Sequence, residues 1–407
     1  MREMTSSNSV DNITWDTVCA NKFCASVTDG THDSPKPQKF GKKLITSKHL
    51  MGDYIDFDSA NWISENDYKK IISRSIVEQW DVLFSMIGTI GNIYIEKNPV
   101  VKYACKNMGI FKFAGNKENA YWMYYYLQSP QAKEYFQSHL RGSTQSYVPL
   151  CSLREMPVPI PDKKTRNGIV SLLRALDVKI AINRKINDNL EQQAQSYFQE
   201  LFVDNADPEW TTGTISDLGA VVGGSTPSKA KPEYYTESGI AWITPKDLSN
   251  NKSKFVSHGE NDITELGLRN SSASIMPEGT VLFSSRAPIG YIAIAAGEVT
   301  TNQGFKSVVP KPEIGTPFVY FFLKNTLPVI EGMASGSTFK EVSGSTMKNV
   351  PAVIPDAETL AKFSDFCAPI FAQQRILEEQ NQSLATLRDN LLPKLMSGEI
   401  DVSAVQL

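Results

Sequence analysis

Cysteine and histidine are scarce in this 407-residue chain, and the scarcity excludes two kinds of site. The chain has five cysteines and four histidines, and no two cysteines form a Cys-x-x-Cys pair. An odd number of cysteines does not complete a disulfide framework, and scattered histidines do not have the spacing of zinc ligands. The sequence therefore predicts neither a disulfide-held fold nor a metal site.

Long apolar runs are also missing. No stretch approaches the roughly 20 apolar residues that a membrane-spanning helix requires. The first residues, MREMTSSNSVDN, are polar and lack the apolar core of a secretory signal. We therefore expect a cytoplasmic protein that does not contact a membrane, with a polar N-terminal tail over residues 1–14.

Catalytic motifs are absent as well. The sequence has no glycine-rich dinucleotide loop, no Walker lysine loop, no His-Glu-x-x-His and no Asn/Asp-Pro-Pro-aromatic tetrad of amino-methyltransferases. Asp162 in PDKK and Asp356 in PDAE suggest nuclease carboxylates, but helix caps fit them better. The sequence predicts a non-catalytic chain that binds no cofactor.

Positive charge is in short supply overall, but it is unevenly distributed. The formal net charge is −3, which argues against nucleic acid because phosphate binding requires clustered Lys and Arg. Counted by segment, residues 15–160 carry about +3, residues 210–355 about zero and residues 356–401 about −4. The first large segment is thus mildly basic.

The chain contains a long internal repeat. RGSTQSYVPLCSLREMPVPIPD (141–162) matches SGSTFKEVSGSTMKNVPAVIPD (335–356), and VLFSMIGTIGNIYI (82–95) matches VLFSSRAPIGYIAI (281–294). GKKLITSKHL (41–50) matches GIAWITPKDL (239–248), and CKNMG (105–109) answers TTNQG (300–304). The offset stays near 194–199 residues, which indicates a tandem duplication.

Each copy begins with a sheet-rich part of about 145 residues and ends in a long helix. Tyr121–Tyr135 is a candidate helix inside the first copy. Both long helices carry a heptad pattern of apolar and amide residues, and Pro369 is expected to kink or break the second. The residues predicted to form the helix seam, or to face a partner, are Leu173, Leu176, Ile180, Asn183, Asn187, Leu190, Ile370, Leu377, Asn381 and Leu384.

A helix of about 40 residues is roughly 60 Å long and exceeds what one small domain can cover. The simplest prediction is that the two helices pack on each other as an antiparallel coiled coil. The repeat then becomes pseudo-twofold symmetric, with two mixed α/β domains held a fixed distance apart, in the α+β class. The predicted boundaries are 15–160 and 205–355 for the two domains, and 161–204 and 356–402 for the helical spacers.

The motifs together resemble the DNA specificity subunits of type I restriction–modification systems. The resemblance covers nearly the whole chain and includes the segments TDGTH (28–32), VLFS-x-x-x-x-IG, TNQGF (301–305) and LRDNLLPKLMSGEI (387–400). It implies two target-recognition domains, each reading one half of a bipartite, asymmetric site in double-stranded DNA.

The resemblance also implies partners. Two methyltransferase subunits would dock along the helices, and restriction subunits could join them. S-adenosylmethionine, ATP and Mg would be bound by those partner subunits and not by this chain. The function predicted is that of a specificity subunit for DNA methylation and restriction.

Residues that differ between the copies are the candidates for reading bases. MIGT, which ends at Thr89, faces SRAP, which contains Ser285 and Arg286. Arg286 can donate two hydrogen bonds to guanine, one to O6 and one to N7, although a phosphate contact or an ion pair fits as well. Gln303 can read adenine, whereas Met108 in the matching position offers only apolar contact or packing.

Residues shared by the copies are candidates for phosphate contacts, because a shared residue carries no half-site information. Lys48 and Lys246 match, with a solvated lysine as the alternative for each. The two GST loops offer amides and hydroxyls, although a turn that needs glycine explains them too. The candidate residues in and beside these loops are Arg141, Ser143, Thr144, Ser337, Thr338 and Lys340. His32 is expected to order a loop or touch DNA.

One alternative function stays open. The duplicated helices could serve a structural adaptor that organises two protein partners without reading DNA. Domain surfaces without basic or amide-rich loops on one side would favour that function. A self-contained enzyme ranks third because the motifs are absent.

Overall fold

The computed structural model describes residues 15–336 and 340–402. The tail predicted over residues 1–14 lies outside the described residues. The chain divides into two compact units: unit 1 is Met1–Lys179 with Leu384–Leu407, and unit 2 is Ile180–Ser383. Each unit therefore contains part of both long helices.

Among its described residues, unit 1 contains nine short strands, several helices and the last part of the second long helix, from Leu384. The strands are β1 (Asp16–Cys19), β2 (Ser26–Asp29), β3 (Lys42–Ile45), β4 (Asn61–Ile63), β5 (Val82–Ser85), β6 (Ile93–Ile95), β7 (Tyr103–Cys105), β8 (Met108–Lys112) and β9 (Pro157–Ile160). The helices are α1 (Ala20–Phe23), α2 (Glu65–Ser75), α3 (Lys117–Tyr126), α4 (Pro130–Ser138), α5 (Leu150–Glu155) and the first part of α6 (Lys163–Gln199).

The strands of unit 1 form three sheets. Four antiparallel strands follow the order β2-β8-β5-β6, three follow β4-β3-β7, and β1 pairs with β9. In the three-stranded sheet β3 and β7 run parallel. The loops that follow β3 and β7 therefore leave the sheet at the same end.

Unit 2 begins within α6 and continues into a π-helical turn, Glu200–Asp204. Its strands are β10 (Thr211–Thr214), β11 (Gly219–Gly223), β12 (Tyr235–Thr236), β13 (Trp242–Ile243), β14 (Phe255–Val256), β15 (Asp262–Ile263), β16 (Val281–Ser285), β17 (Ile289–Ala295), β18 (Thr300–Thr301), β19 (Lys306–Pro310) and β20 (Pro351–Ile354). Its helices are α7 (Ile215–Leu218), α8 (Pro245–Asn250), α9 (Glu265–Arg269), α10 (Thr316–Met333), α11 (Gly344–Lys348) and most of α12 (Ala357–Ser397).

Unit 2 repeats the strand pairings of unit 1. Its main sheet follows the order β11-β19-β16-β17-β14, in which the first four strands correspond to β2-β8-β5-β6. The β13–β18 pair is parallel like β3–β7, and β10–β20 is antiparallel like β1–β9. Val82 pairs with Phe111 in unit 1 as Val281 pairs with Val308 in unit 2. The sequence repeat is thus a repeat of topology.

Within each unit the stretches of α6 and α12 run antiparallel and contact each other. In unit 2, Asn187 Nδ2 donates to the Gln374 carbonyl, and Gln374 Nε2 donates to the Asn187 carbonyl, at 3.3 and 3.2 Å. Asn183 Nδ2 approaches Gln380 Oε1 at 3.4 Å. In unit 1, Arg388 of α12 donates to Asp177 of α6. Polar seam residues therefore join the helices by direct hydrogen bonds.

Both long helices begin at the aspartates assigned as caps, which confirms that prediction. Asp162 Oδ1 accepts from the Lys164 and Thr165 amides, and Asp356 Oδ1 accepts from the Thr359 amide. These contacts use the carboxylates to satisfy amides that the first helical turn leaves open. The two aspartates are structural.

The helix expected over Tyr121–Tyr135 is two helices, because α3 ends at Tyr126 and Ser129 caps a new helix whose first residue is Pro130. Pro369 was expected to kink or break the second long helix. It does not break it, since α12 is continuous across this residue. Apolar residues on either side, Cys367, Ile370 and Phe371, are buried in the unit 2 core, and this packing holds the helix together despite the missing amide donor.

The core of each unit joins its main sheet to its helical stretches. In unit 1, Phe84 and Trp122 share one cluster with Leu173 and Leu395. In unit 2, Phe283 and Phe321 share a cluster with Phe198 of α6 and Phe363 of α12. Burying each such side chain contributes about 1.5–3 kcal/mol. The sheet that carries the candidate site is therefore anchored directly on the helices of its own unit.

Candidate nucleic-acid interface

The same bend follows the central strand in both units. Ser85 accepts from the Asn92 amide and donates to the Thr89 carbonyl, and Ser284 accepts from the Tyr291 amide and donates to the Pro288 carbonyl. These matching hydrogen bonds put Ile87 and Arg286 at equivalent positions of equivalent loops. The backbone is shared, whereas the side chains differ.

The GST loops return to this bend in both units. The Val148 amide donates to the Met86 carbonyl, and the Val342 amide donates to the Ser285 carbonyl. The residues just before, Tyr147 and Glu341, are therefore equivalent. Ile87 bridges to Tyr147 through the backbone in unit 1.

In unit 2 this position is charged. Arg286 Nη1 lies 3.5 Å from Glu341 Oε2, and Lys306 Nζ lies 3.8 Å from Glu341 Oε1. The aromatic and aliphatic pair of unit 1 is thus replaced by an ion-pair cluster on a matching backbone. The Arg286 side chain is 38% exposed, so its guanidinium reaches solvent.

A second loop pair approaches from the end of the first strand of each main sheet. The Thr31 amide donates to the Cys105 carbonyl, and the Ser225 amide donates to the Thr301 carbonyl. A Cβ on Gly30 would lie 2.4 Å from the Cys105 carbonyl oxygen, and one on Gly224 would lie 2.0 Å from that of Asn302. Only glycine permits this close approach.

The close approach brings two side chains together in each unit: one from the loop that contains the glycine, and one amide from the opposite loop. In unit 1, His32 Nδ1 lies 3.0 Å from Asn107 Oδ1, and in unit 2 Thr226 Oγ1 donates to Gln303 Oε1. His32 Nε2 also donates to the buried Asp29, which accepts from Arg74 as well. Each unit therefore has an amide side chain held by its neighbour, half-buried at Asn107 and exposed at Gln303.

Lys48 and Lys246 occupy matching turns. Thr46 caps the turn that contains Lys48, and the His49 ring accepts a hydrogen bond from the Thr46 amide. Thr244 caps the turn that contains Lys246, and the Asp247 carboxylate accepts from the Thr244 amide. Burial is the main reason that the pKa of His49 lies below its ordinary value, with Lys48 adding to the effect. Both lysines are exposed, and Lys246 pairs with Glu260 at 2.5 Å. That hydrogen-bonded ion pair raises the pKa of Lys246.

A single cleft of about 640 Å³ in unit 2 brings three of the predicted residues together. Lys246, Arg286 and Gln303 line it, with Thr226 and Lys229. Cationic and amide donors converge there on a space open to solvent, beside the carboxylates of Asp247 and Glu260. Such a set suits the phosphates and base edges of a nucleic acid.

The remaining predicted residues are placed as follows. His32, Thr89, Arg141, Ser143, Thr144 and Lys340 are exposed on loops. Ser337 and Thr338 lie outside the described residues. Ser285 is fully buried, and its hydroxyl donates to the Gly304 carbonyl. Strand β16 extends through Ser285, and all of its residues are buried. Ser285 therefore does not reach the surface, and its prediction as a contact residue is wrong.

The structure also corrects the matching of Met108 with Gln303. Met108 is fully buried and pairs with Ser85, whereas in unit 2 the matching bridge joins Ser284 to Phe305. Met108 therefore packs in the core as the counterpart of Phe305. Asn107, which has a left-handed backbone with φ of 55°, is the counterpart of Gln303 at the surface and was missed.

The predicted seam residues lie along the helices as the heptads require. Leu173, Ile180, Asn183, Ile370 and Leu377 are buried. The others, Leu176, Asn187, Leu190, Asn381 and Leu384, are half-buried.

The described residues offer no metal site and no membrane span. Nowhere in residues 15–336 and 340–402 do three or more His, Cys, Asp or Glu side chains gather as metal ligands. No helix in these ranges is both long and apolar enough to cross a membrane.

Comparison with known proteins identifies the family. The family model described as "Type I restriction modification DNA specificity domain" matches residues 37–192 and 208–387, which together are most of the chain. The chain belongs to this family. The resemblance stated from the sequence is confirmed, and DNA binding and target recognition follow from membership of the specificity family.

Two relatives carry the family name. The chain is 39% identical over 194 residues to the type I restriction enzyme MjaIX specificity subunit of Methanocaldococcus jannaschii, covering 46% of this chain and 45% of the relative. It thus matches less than half of that relative's length. It is 24% identical to the type I restriction enzyme HindI specificity subunit of Haemophilus influenzae, over 81% of this chain and 88% of the relative.

A solved structure shares the fold of this specificity-family member. The type I restriction-modification S subunit from M. genitalium aligns with a TM-score of 0.56 at 16% identity, covering 95% of this chain and 96% of that chain. This confirms a mixed α/β fold with a long helix.

Proposed function

We propose that this chain is the DNA sequence-specificity subunit of a type I restriction–modification complex. Each sheet-rich part, residues 15–160 and residues 205–355, reads one half of a bipartite and asymmetric DNA site. The chain itself is non-catalytic. S-adenosylmethionine, ATP and Mg belong to its partner subunits.

One observation carries the proposal: equivalent loop positions carry unlike side chains on one backbone design. Ile87 and Tyr147 correspond to Arg286 and Glu341, and the His32–Asn107 pair corresponds to Thr226–Gln303. A repeated module that kept one contact set would read the same bases twice. Modules with different contact sets read unlike half-sites, as an asymmetric site requires.

The phosphate contacts are assigned to cations outside these variable pairs. Lys48 and Lys246 occupy matching capped turns, and Arg141 and Lys340 flank the GST loops. The two matching lysines hold the backbone of each half-site without selecting its sequence, and Arg141 and Lys340 add a cation beside each GST loop. With Arg286, Gln303, His32 and Thr89 these residues form the proposed DNA surface.

The helices are assigned to methyltransferase subunits. The antiparallel contacts inside each unit support an antiparallel coiled coil that sets the separation of the two reading parts and gives the chain its pseudo-twofold symmetry. Aliphatic side chains on the helices, including Ile182, Ile186 and Ile376, remain 40–49% exposed. Exposed apolar positions on otherwise polar helices suit a protein partner. We propose two methyltransferase subunits and optional restriction subunits.

Methylome sequencing of the host with the gene present, deleted and restored tests the proposal. The expected result is a bipartite methylation motif that disappears on deletion and returns with the wild-type gene. A motif that persists unchanged without the gene contradicts the proposal. A chain that binds partner subunits and leaves the methylated sequences unaffected by any loop substitution would be a helical adaptor.

A further inference from the structure

The two amide side chains at the candidate interface, Asn107 and Gln303, share an orientation. Asn107 and Gln303 both use the side-chain carbonyl oxygen internally. His32 Nδ1 lies 3.0 Å from Asn107 Oδ1, and Thr226 Oγ1 donates to Gln303 Oε1. The NH₂ group of each amide is the part that these contacts leave for an external acceptor.

The orientation in unit 1 is fixed by a chain of contacts that leads into the protein. Arg74 Nη2 donates to Asp29 Oδ1 at 2.7 Å, and His32 Nε2 donates to Asp29 Oδ2 at 2.8 Å. The Asp29 side chain is only 9% exposed, so it is a fixed acceptor. The His32 ring thus lies between Asp29 and Asn107, and it is the side-chain oxygen of Asn107 that faces the ring.

The orientation in unit 2 is fixed by a hydroxyl group. The Thr226 hydroxyl takes the place of the imidazole as the donor to the amide oxygen. Gln303 is one methylene longer than Asn107, and Thr226 is shorter than His32. The two pairs therefore place the same functional group by different side chains.

We infer that Asn107 and Gln303 are specificity-determining residues whose outward NH₂ groups select guanine in the major groove, one in each half-site. His32 and Thr226 are positioning residues that act through them. The inference rests on the proposed function and assigns a base class to its contact site. Guanine presents two adjacent acceptors, O6 and N7, to a donor. Reading adenine by two bonds requires the amide oxygen as an acceptor as well, and that oxygen is already engaged.

Isosteric substitutions separate reading from packing. Asn107→Asp replaces the outward NH₂ with an acceptor and keeps an oxygen for the His32 contact, so the internal contact survives. Gln303→Glu does the same against Thr226. Each variant is expected to lower methylation of the wild-type motif about tenfold or more, by the discrimination that one base contact supplies. Each variant is expected to lose the preference for one guanine of the motif. Asn107→Asp affects a guanine in one half-site, and Gln303→Glu affects a guanine in the other half-site.

Two further variants complete the design. Asn98→Asp is the control, because it adds the same charge to an exposed residue on the other side of β7 from Asn107. This variant is expected to leave the motif unchanged. His32→Ala keeps the Asn107 amide but frees its oxygen, so it is expected to relax the choice of base at the Asn107 position instead of abolishing methylation.

The readout is the base composition of every methylated site for wild type and each variant. If wild type gives no motif dependent on this gene, the proposed function fails. If wild type gives the motif and both Asn107→Asp and Gln303→Glu keep its base preferences, the function stands and the inference is overturned. Loss of selectivity at a base other than guanine overturns the base assignment.

Discussion

The Arg388 guanidinium of α12 donates to the Asp177 carboxylate of α6 in unit 1, with Nη1 and Oδ1 2.8 Å apart. The other carboxylate oxygen of Asp177 accepts from the Tyr125 hydroxyl at 2.6 Å. Asp177 thus joins the two long helices through Arg388 and also joins α6 to helix α3 through Tyr125. Asp177 and Asp389 hold the pKa of Arg388 above its ordinary value, against the effect of burial.

Arg388→Ala is therefore expected to destabilise unit 1. The substitution leaves Asp177 partly buried without its cationic partner, at a cost of about 1–3 kcal/mol. Chemical denaturation of the full chain measures the effect, and Arg388→Lys, which keeps the charge, is expected to lose less. Equal stability of Arg388→Ala and wild type would show that the pair contributes nothing.

Glu191 plays the corresponding part in unit 2. It accepts from the buried Lys254 at 2.6 Å and from Lys324 at 2.5 Å. Lys254 also donates to Gln374 Oε1 at 2.8 Å and lies over the Phe371 ring. One cluster thus ties the strand region around Lys254 to both helices of its unit.

Glu191→Gln is expected to lower the free energy of unfolding by about 3 kcal/mol, because it leaves a buried ammonium without a counter-charge. Glu260→Gln is the matched control, since it removes the carboxylate of the exposed Lys246 pair. Exposed pairs contribute little, so this control should leave Tm unchanged. Similar losses of stability in both variants would contradict the account of the cluster.

The pH dependence of unit 2 should reflect Lys254. Burial lowers the pKa of Lys254 to about 8 from 10.5, although Glu191 opposes the change. Between these two values the unfolded chain holds a proton that the folded chain has released. Stability from this group therefore rises as pH rises from about 8 to about 10.5, and is lost as pH falls back through about 8.

Comparison of wild type with Lys254→Met tests this effect. The methionine keeps most of the apolar stem and removes the titration. Over pH 7 to 10, the Tm of wild type should rise relative to that of the variant, as measured by thermal unfolding of the full chain. Parallel curves would mean that Lys254 does not lose its proton in this range.

Lys48 and Lys246 should act on the salt dependence of DNA binding. Each neutralised phosphate contributes about −0.9 to the slope of log K against log salt concentration. Lys48→Ala or Lys246→Ala in the assembled complex should reduce the magnitude of the slope by about 1 and leave the preferred bases unchanged. A change in base preference would assign that lysine to a base edge.

Local and periodic features of this chain could be predicted from the sequence. The repeat predicted that both copies share one layout, and the heptads predicted ten seam residues, of which five are buried and five half-buried, because both depend on regular spacing. Asp162 and Asp356 were recognised as caps because a cap needs only its next few neighbours.

Features that depend on distant contacts were missed. Asn107 meets His32 across 75 residues, and only the close approach of Gly30 to the Cys105 carbonyl brings them together. Matching Met108 with Gln303 failed because the second copy has one more residue between the equivalent strand positions. Ser285 looked exposed because it stands beside Arg286, but the strand continues through Ser285 and buries it.

The central claim, that the two parts of the chain read different halves of one site, is tested most directly by methylome sequencing of a host that carries Arg286→Ala. Arg286 belongs to unit 2 and lines its cleft. The account predicts relaxed base choice in one half of the bipartite motif, with the other half read as in wild type. Equal relaxation in both halves would contradict it.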